Sequence, residues 1–274
     1  MKKTIRTILN IALSALLIFG IVKLGLSIYN NNRSREEYGE AMEIAVVAKP
    51  EESSRPAETM PPQAPSEDKP EVKIPDDPFI KELFEIDLNA LREENEDVIG
   101  WIIIPDTRIN YPLLQWTDNE FYLDHTWKQT RNPAGSIFMD YQNSADFDQF
   151  NTIIYGHNIM NGDMFGSLHS YRTLDYLQQH PYVYIVTDEG VMRFDVFAAQ
   201  FAGIETIVYG LNIESEQKKK EFLRYVQDYS SVETELSPTI EDKFLTLSTC
   251  TGGNNEKRMV VIGVFNEENS YKRP

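Results

Sequence analysis

The sequence predicts a mostly β domain with flanking helices, whose strands form a closed or nearly closed barrel. Eight short segments rich in β-branched and aromatic residues follow one another between residues 98 and 265. The helical segments between them are few and short, and no internal repeat is found. Many short strands with few helices are typical of β-barrels.

The composition allows a sizeable core and argues against nucleic acid as a partner. The 274 residues are 41% hydrophobic and include 14 Tyr and 14 Phe, which is ordinary for a globular protein. The length is enough for one large domain or two small ones. The net charge of −17 would repel a phosphate backbone.

A transmembrane anchor is predicted at residues 8–29. The chain is apolar from residue 8 to residue 22 apart from Asn10 and Ser14, and the whole segment has about the ~20 residues that a spanning helix needs. A cleaved signal peptide is the alternative, but no A-x-A-like site follows the apolar run. Three cations within residues 1–7 predict a cytoplasmic N-terminus, with everything after residue 30 outside the cell.

Residues 30–78 are predicted to form a juxtamembrane and Pro-rich linker. Residues 31–43 are charged and could form a short helix, whereas residues 50–78 hold eight of the 14 prolines. Such a composition cannot bury a core and favours an extended spacer that lifts the domain off the membrane. A Pro-rich ligand for a partner is the alternative.

The folded domain is placed at residues 79–268, with a C-terminal tail at 269–274. Apolar residues recur at helical spacing between residues 80 and 91, and Asp87 fits a cap between two helices. Further helical segments are predicted at 164–171, 173–180 and 213–230, the last preceding the final strand pair. The predicted strands are 98–105, 109–115, 135–141, 151–157, 182–187, 191–201, 244–250 and 258–265, with a turn at 188–190 joining two of them into a hairpin.

Cys250, the only cysteine, ends the predicted strand "FLTLSTC". A single cysteine excludes an intramolecular disulfide and a paired-cysteine metal site, and a lone cysteine is most often a small buried residue. Strand alternation separates a core face from a small polar face that could form the floor of a groove. The core face holds Leu245, Leu247 and Thr249, and the polar face holds Thr246, Ser248 and Cys250.

Arg258 and His157 are the candidate partners of this cysteine. If the last two strands form a hairpin, Arg258 lies near Cys250 on a neighbouring strand about 4.8 Å away, where a guanidinium favours a thiolate and can bind an oxyanion. His157 ends the strand "NTIIYGH" and is the best candidate for a base. His125 is a weaker candidate, and His169 and His180 read as ordinary surface residues.

No metal and no cofactor are predicted. The four histidines are scattered without the spacing of metal ligands. The acidic segments at residues 146–151 and 241–243 read as solvated surface.

These motifs resemble those of class B sortases. "LTLSTC" with Arg258 eight positions after Cys250 resembles the T-L-x-T-C…R signature of sortases, and "NTIIYGHNIMNGDMFGSL" is similar to the histidine segment of class B. "VIGWIIIPDTRINYPLLQWTDNEFYLDH" and "AGSIFMDYQN" also match, in family order. The resemblance covers about residues 79–265, and the anchor and the helix at about 214–229 fit the same class.

The resemblance implies an eight-stranded sortase-type β-barrel and a membrane-bound cysteine transpeptidase. Such an enzyme cleaves a C-terminal sorting signal after Thr and joins the Thr carboxyl to an amine. The resemblance also implies that Cys250 is the nucleophile, His157 the general acid/base and Arg258 the oxyanion or substrate stabiliser. It also implies a signal-binding groove lined by Asn119, Leu123, Tyr155, Ser248 and Thr249.

Several alternatives stay open from the sequence. An L,D-transpeptidase would have His two residues before its cysteine, where Ser248 stands here. A non-enzymatic alternative is a surface-anchored binding domain in which the thiol is inert. Within the resemblance, the signal could be NPxTx-like or (L/S/P)PxTG-like. The acceptor is expected to be a peptidoglycan amine, with a pilin lysine as the alternative.

Overall fold

The computed structural model describes residues 2–47, 76–159, 161–250 and 257–273. The predicted Pro-rich segment and the loop between the last two strands therefore lie largely outside the described residues. Within the described chain, one N-terminal helix precedes a β-barrel with helices on its surface.

The barrel is a mixed eight-stranded sheet in the order β5-β1-β2-β3-β4-β7-β8-β6, closed by the pairing of β5 with β6. Most neighbours are antiparallel, whereas β2–β3 and β4–β7 are parallel. The closed barrel confirms the predicted fold class. The strands are β1 Val98–Ile103, β2 Asn110–Leu114, β3 Ile137–Met139, β4 Asn151–Tyr155, β5 Tyr182–Thr187, β6 Gly190–Gly203, β7 Phe244–Cys250 and β8 Lys257–Phe265, with a short β9 Tyr271–Lys272 beside β6.

Every predicted strand corresponds to an observed one, and the largest differences are at their ends. The predicted strand at 135–141 is reduced to three residues, because polar residues on either side turn the chain into loops. The predicted turn at 188–190 joins β5 and β6 as a two-residue hairpin in which Thr187 pairs with Gly190. Hydrophobic residues of both sheet faces are buried, so the barrel has a filled interior and a covered outer side.

Three of the surface helices begin at a residue whose side chain caps them. Asp87 caps α3 (Leu88–Glu94), as predicted, by accepting hydrogen bonds from the backbone N–H groups of Asn89 and Ala90. Asp77 caps α2 (Pro78–Phe84), and Ser215 caps α5 (Glu216–Tyr229). The predicted helix at 164–171 is a 3₁₀ helix at Gly166–Arg172, followed by α4 (Leu174–Gln179).

The N-terminal helix α1 (Lys2–Val47) continues without a break through the predicted anchor and the juxtamembrane segment. It is the one helix in the described chain that is long and apolar enough to cross a membrane. Its last turns pack against the barrel through Tyr38, Ala41 and Ala45, which are buried. The sequence did not predict this packing, since the contacting residues are few and lie among charged ones.

Hydrogen bonds fix α1 on the barrel. The Tyr38 hydroxyl donates to the Gly135 carbonyl oxygen at 2.8 Å, and the Trp127 indole N–H donates to the carbonyl oxygen of Glu37 at 2.7 Å. The Glu37 carboxylate accepts hydrogen bonds from the hydroxyls of Thr126 and Thr130. The helix therefore holds the loop between β2 and β3.

The connection between β6 and β7 covers the outer face of the β6–β8–β7 sheet. Phe222 and Val226 of α5 pack there on Phe244. Thr246 is fully buried beneath this layer, where its hydroxyl donates to Asn151 at 2.8 Å. The prediction that Thr246 forms the floor of a groove is therefore wrong, because the connecting segment covers that part of the strand. Leu245 and Leu247 are buried in the core, as predicted.

Candidate active site

Three adjacent strands bring Cys250, His157 and Arg258 to one end of the barrel. β7 lies between β4 and β8. Cys250 is paired with Arg258 in the antiparallel β7–β8 ladder, as the hairpin prediction required. In the parallel β4–β7 ladder Tyr155 is paired with Ser248. His157 and Cys250 each follow that pair by two residues, so their backbones leave the sheet side by side.

A cleft of about 300 Å³ opens at this end of the barrel. Seven of the eight residues that the sequence predicted for the site line it. Those seven are Asn119, Leu123, Tyr155, His157, Ser248, Thr249 and Arg258. The eighth predicted residue is Cys250, whose backbone lies at the end of β7.

His157 is oriented by the backbone of the β2–β3 loop. Its Nε2 lies 2.6 Å from the carbonyl oxygen of Leu123, and because a carbonyl can only accept, Nε2 carries a hydrogen. The other ring nitrogen, Nδ1, is therefore the one that gains or loses a proton. The backbone carbonyl of His157 accepts a hydrogen bond from the N–H of Phe165 at 2.9 Å, which fixes the loop that follows.

Two glycines allow the chain to approach this histidine closely. Gly135 has a φ of +58°, and a Cβ added there would lie 2.7 Å from the Leu123 carbonyl oxygen and 2.8 Å from Cδ2 of His157. A Cβ on Gly156 would lie 2.8 Å from the ring of Phe165. A larger residue at position 135 would therefore fill space that the imidazole occupies, and one at position 156 would displace Phe165 next to it.

Arg258 is partly exposed and supplies the positive charge of the cleft. Its backbone is paired with Cys250 on one side and with Ala202 of β6 on the other. Its charge also acts on Tyr155. A guanidinium at this position can stabilise a nearby thiolate or a developing oxyanion.

Asn119 and Tyr155 form one wall of the cleft and share a buried carboxylate. The Asn119 amide and the Tyr155 hydroxyl donate to the same oxygen of Asp140, at 2.8 and 2.9 Å. Burial, followed by the negative charge of Asp140, raises the pKa of Tyr155 well above its ordinary value. Tyr155 is therefore a neutral hydroxyl at physiological pH.

Ser248 and Thr249 lie at the base of the cleft. The Ser248 hydroxyl is 2.8 Å from the hydroxyl of Tyr209, which belongs to a 3₁₀ turn at Ile207–Tyr209. Thr249 is buried, and no hydrogen-bond partner is found for its Oγ1 among the described residues. Leu123 and Ile204 present exposed apolar side chains at the rim of the cleft.

The other histidines have structural contacts. His125 stacks on Phe121 with 4.2 Å between ring centroids and contacts its carbonyl oxygen. His180 contacts the carbonyl oxygen of Pro105 at 3.0 Å and is half-buried, not an ordinary surface residue. His169 lies beside Phe201. Within the described part of the chain, no group of His, Cys, Asp or Glu side chains has the arrangement of a metal site.

The sequence did not single out Tyr209, Ile204, Phe138 or Asp140. The first two come from the irregular segment after β6, and no local pattern indicates that this segment folds over the site. Asp140 had a weak signal, namely a carboxylate placed directly after a buried strand.

Comparisons with known proteins agree with this geometry. The Sortase domain family model matches residues 102–266. The chain is 39% identical over 184 residues to Sortase B of Listeria monocytogenes, covering 65% of this chain and 73% of the relative. It is also similar in structure to sortase B from B. anthracis in complex with AAEK1, with a TM-score of 0.67, 29% identity and coverage of 90% and 100% of the two chains.

A second solved structure, the Staphylococcus aureus sortase B-substrate complex, aligns with a TM-score of 0.62 at 29% identity, covering 65% of this chain and 84% of that one. The matches do not favour the alternatives of a non-enzymatic binding domain or a pilin-polymerising enzyme. The family model covers more than half of the chain, and the sortase B structures align with TM-scores of 0.62 and 0.67. The chain therefore belongs to the sortase family as a class B member, a cysteine transpeptidase that anchors surface proteins.

Proposed function

We propose that Cys250 is the nucleophile of this transpeptidase, His157 its general acid/base and Arg258 its oxyanion stabiliser. The observation that carries the proposal is the register of β4, β7 and β8, in which the backbones of these three residues meet at one end of the barrel. A nucleophile, a proton-transfer group and an oxyanion donor must lie within contact of one reacting carbonyl. Neighbouring strands are about 4.8 Å apart, which fits this requirement.

In the first half-reaction, the Cys250 thiolate attacks the carbonyl carbon of the signal's Thr. The carbonyl oxygen becomes an oxyanion, which Arg258 and a backbone N–H stabilise. The C–N bond then breaks, and His157 gives its Nδ1 proton to the leaving amine. The products are a thioester on Cys250 and the released C-terminal peptide.

In the second half-reaction, an acceptor amine attacks the thioester carbonyl. His157 takes the proton that the amine loses, and the Cys250 sulfur leaves as a thiolate. The result is a new amide bond, and the kinetics are ping-pong. Because the acceptor must be a free amine, a cross-bridge or precursor amine of peptidoglycan is the acceptor that we propose.

The thiolate must be generated by its surroundings. An unperturbed cysteine has a pKa near 8.5, so only a few per cent of it is ionised at neutral pH. An imidazolium at His157 and the guanidinium of Arg258 would both stabilise the charged form. The reactive pair that we propose is therefore thiolate and imidazolium.

The substrate that we propose is an extended C-terminal sorting signal, NPxTx-like or (L/S/P)PxTG-like. The cleft supports this proposal with polar groups on one wall, from Asn119 and Tyr155, and apolar side chains of Leu123 and Ile204 at its rim. Such a mixture suits a short peptide that offers both backbone groups and apolar side chains.

The anchor supports a location at the outer face of a Gram-positive cell membrane. We propose that residues 1–7 are cytoplasmic, residues 8–29 span the membrane, and the catalytic domain at 79–268 lies outside. Lys2, Lys3 and Arg6 favour this orientation. Because α1 packs on the barrel within a few turns of residue 29, the domain would sit close to the membrane and would not be lifted off it by the Pro-rich segment, as the sequence had suggested.

Trapping the acyl-enzyme tests the function. The full chain in detergent is incubated with a panel of fluorogenic peptides of the two signal types, with and without a triglycine acceptor. We expect cleavage after Thr, a mass increase on Cys250 equal to the acyl fragment, and a transpeptidation product when triglycine is present. The Cys250→Ala variant should show neither cleavage nor adduct.

One further variant tests the role of His157, and another serves as a control. The His157→Gln variant should lose turnover while the protein keeps its fold, as judged by circular dichroism. Ser144→Ala, at an exposed position away from the cleft, should react as the unmodified chain does. Absence of any adduct across the panel, or cleavage that survives Cys250→Ala, would contradict the proposed function.

A further inference from the structure

Asp140 is a buried carboxylate beside the cleft that none of the steps above uses. It follows β3 directly and has 3% of its surface exposed. No ion pair found among the described residues includes it. Burying a charged carboxylate is costly unless hydrogen bonds compensate for the lost water, so its surroundings must supply donors.

Three donors meet this carboxylate. The backbone N–H of Gln142 donates to Oδ1 at 3.0 Å, and the Asn119 amide and the Tyr155 hydroxyl donate to Oδ2. Every contact is of the kind that an ionised carboxylate accepts. Asp140 therefore determines that Asn119 and Tyr155, two residues in the wall of the cleft, act as donors towards it.

The contact with Asp140 determines where the hydroxyl hydrogen of Tyr155 points. A tyrosine hydroxyl has a single hydrogen, and here that hydrogen points to Asp140. The oxygen of Tyr155 is left with lone pairs alone to offer to other groups. Asn119 is fixed in the same way, since its amide nitrogen donates to Asp140 while its oxygen accepts the N–H of Tyr141 at 3.0 Å.

We propose that Asp140 is a specificity-determining positioning residue that makes the Tyr155 hydroxyl an acceptor in the cleft. The proposal rests on the proposed function of the same cleft. The site then selects a signal that places an N–H donor against Tyr155 and disfavours one that places a carbonyl there, because two acceptors would face each other. The ligand group that Tyr155 takes is an amide N–H of the sorting signal.

Amide-to-ester substitution tests this polarity. The probes are the parent signal peptide that gives the Cys250 thioester and a set of depsipeptides, each with one N–H replaced by oxygen, except at the scissile bond. With the unmodified full chain we expect one depsipeptide to lose about tenfold in kcat/KM for acylation, the effect of one net hydrogen bond. With Tyr155→Phe we expect kcat/KM for the parent peptide to fall by a similar factor. The difference in kcat/KM between the parent and that depsipeptide should then vanish.

Asp140→Asn tests the origin of the polarity. One orientation of the new amide places an N–H against the Asn119 amide, so that the Tyr155 hydrogen is no longer directed to residue 140. The other orientation places it against the backbone N–H of Gln142 and leaves a neutral oxygen, which holds the Tyr155 hydrogen less strongly than a carboxylate does. We expect this variant to lose most of the same discrimination, chiefly through KM. Asp175→Asn, an exposed aspartate on α4, is the matched control and should keep it.

The outcomes separate this inference from the proposed function. If the unmodified chain forms the thioester but Tyr155→Phe shows the same loss of kcat/KM with each depsipeptide as the unmodified chain, the inference is overturned. The proposed transpeptidase function is then unaffected. If no thioester forms with any signal peptide, the proposed function itself has failed. A folded Asp140→Asn variant that keeps the full discrimination between the two peptides would also overturn the inference. Should that variant fail to fold by circular dichroism, the comparison with Tyr155→Phe can still overturn it.

Discussion

The imidazole Nε2 of His157 lies 2.6 Å from the backbone carbonyl oxygen of Leu123, which is 34 residues earlier in the chain. This hydrogen bond assigns the ring hydrogen in the neutral form to Nε2, so Nδ1 is the nitrogen that would exchange a proton in the reaction that we propose. It also ties His157 to the β2–β3 loop, which α1 holds from the other side.

Nitrogen-15 NMR of the histidine rings should reveal this tautomer. We expect neutral His157 to be protonated at Nε2, because its hydrogen bond to Leu123 persists, and Nδ1 to be the nitrogen whose shift follows pH. His125 and His180 are internal controls, since their Nδ1 atoms lie 2.9 and 3.0 Å from carbonyl oxygens and should carry the hydrogen. A neutral His157 protonated at Nδ1 would contradict the assignment.

Gly135→Ala should impair the enzyme without unfolding the barrel. The new Cβ would meet the Leu123 carbonyl oxygen at 2.7 Å, and the positive φ costs a further ~1 kcal/mol for a residue other than glycine. Displacing Leu123 removes the support of His157, so we expect kcat for cleavage to fall by about 10²-fold. Gly39→Ala, with open space around the new Cβ, is the control and should retain full activity.

Arg258→Ala should lower kcat/KM for cleavage by about 10²–10³-fold, the usual loss when one oxyanion donor is removed. Arg258→Lys keeps the charge but not the planar fork, and we expect it to recover part of the loss. Steady-state kinetics with the fluorogenic signal peptide provide the measurement. Arg224→Ala, at an exposed position on α5, should have no effect. Equal activity of all three variants would show that Arg258 takes no part in the reaction.

Tyr38→Phe should destabilise the domain. The substitution removes the donor to the Gly135 carbonyl oxygen and a contact with the Ser136 hydroxyl at 2.9 Å, both in a buried place. A buried acceptor left without a donor costs about 1–3 kcal/mol, which chemical denaturation of the full chain in detergent can measure. Tyr229→Phe, on an exposed side chain, should leave the free energy of unfolding unchanged. If the two variants unfold alike, α1 is not held by this hydrogen bond.

High pH should destabilise the fold through its buried tyrosines. Burial raises the pKa of Tyr122, Tyr155 and Tyr171 well above the ordinary value. Because the unfolded state loses these protons first, their contribution is complete below about pH 10 and is lost as the pH rises beyond it. We expect the free energy of unfolding to fall in that range. Absorbance at 295 nm should show these buried tyrosines ionising only together with unfolding; their ionisation while the fold is intact would be inconsistent with this.

Local sequence was sufficient for the strands and for one pair of site residues. β7 alternates apolar and small polar residues, β8 is a nearly continuous apolar run, and a glycine-containing loop joins them, so the pairing of Cys250 with Arg258 could be predicted from the hairpin alone. The neighbouring position of His157 was harder to predict, because β4 and β7 are parallel and nearly 90 residues apart, and no local turn fixes their register. There the sequence offered His157 as the best candidate because it ends a predicted strand, and the family motif indicated the same residue.

By itself, the sequence determined the apolar N-terminal helix, the order of the strands and which residues carry reactive groups, because these follow from composition and short-range periodicity. Only the tertiary structure decided that α1 holds the β2–β3 loop, that Thr246 is covered while Ser248 lines the cleft, and that Asp140 orients Tyr155. These features depend on side chains that meet across the barrel, as with Tyr38 and Gly135, which are 97 residues apart. Such contacts form when the sheet closes, and no residue's immediate neighbours in the chain encode them.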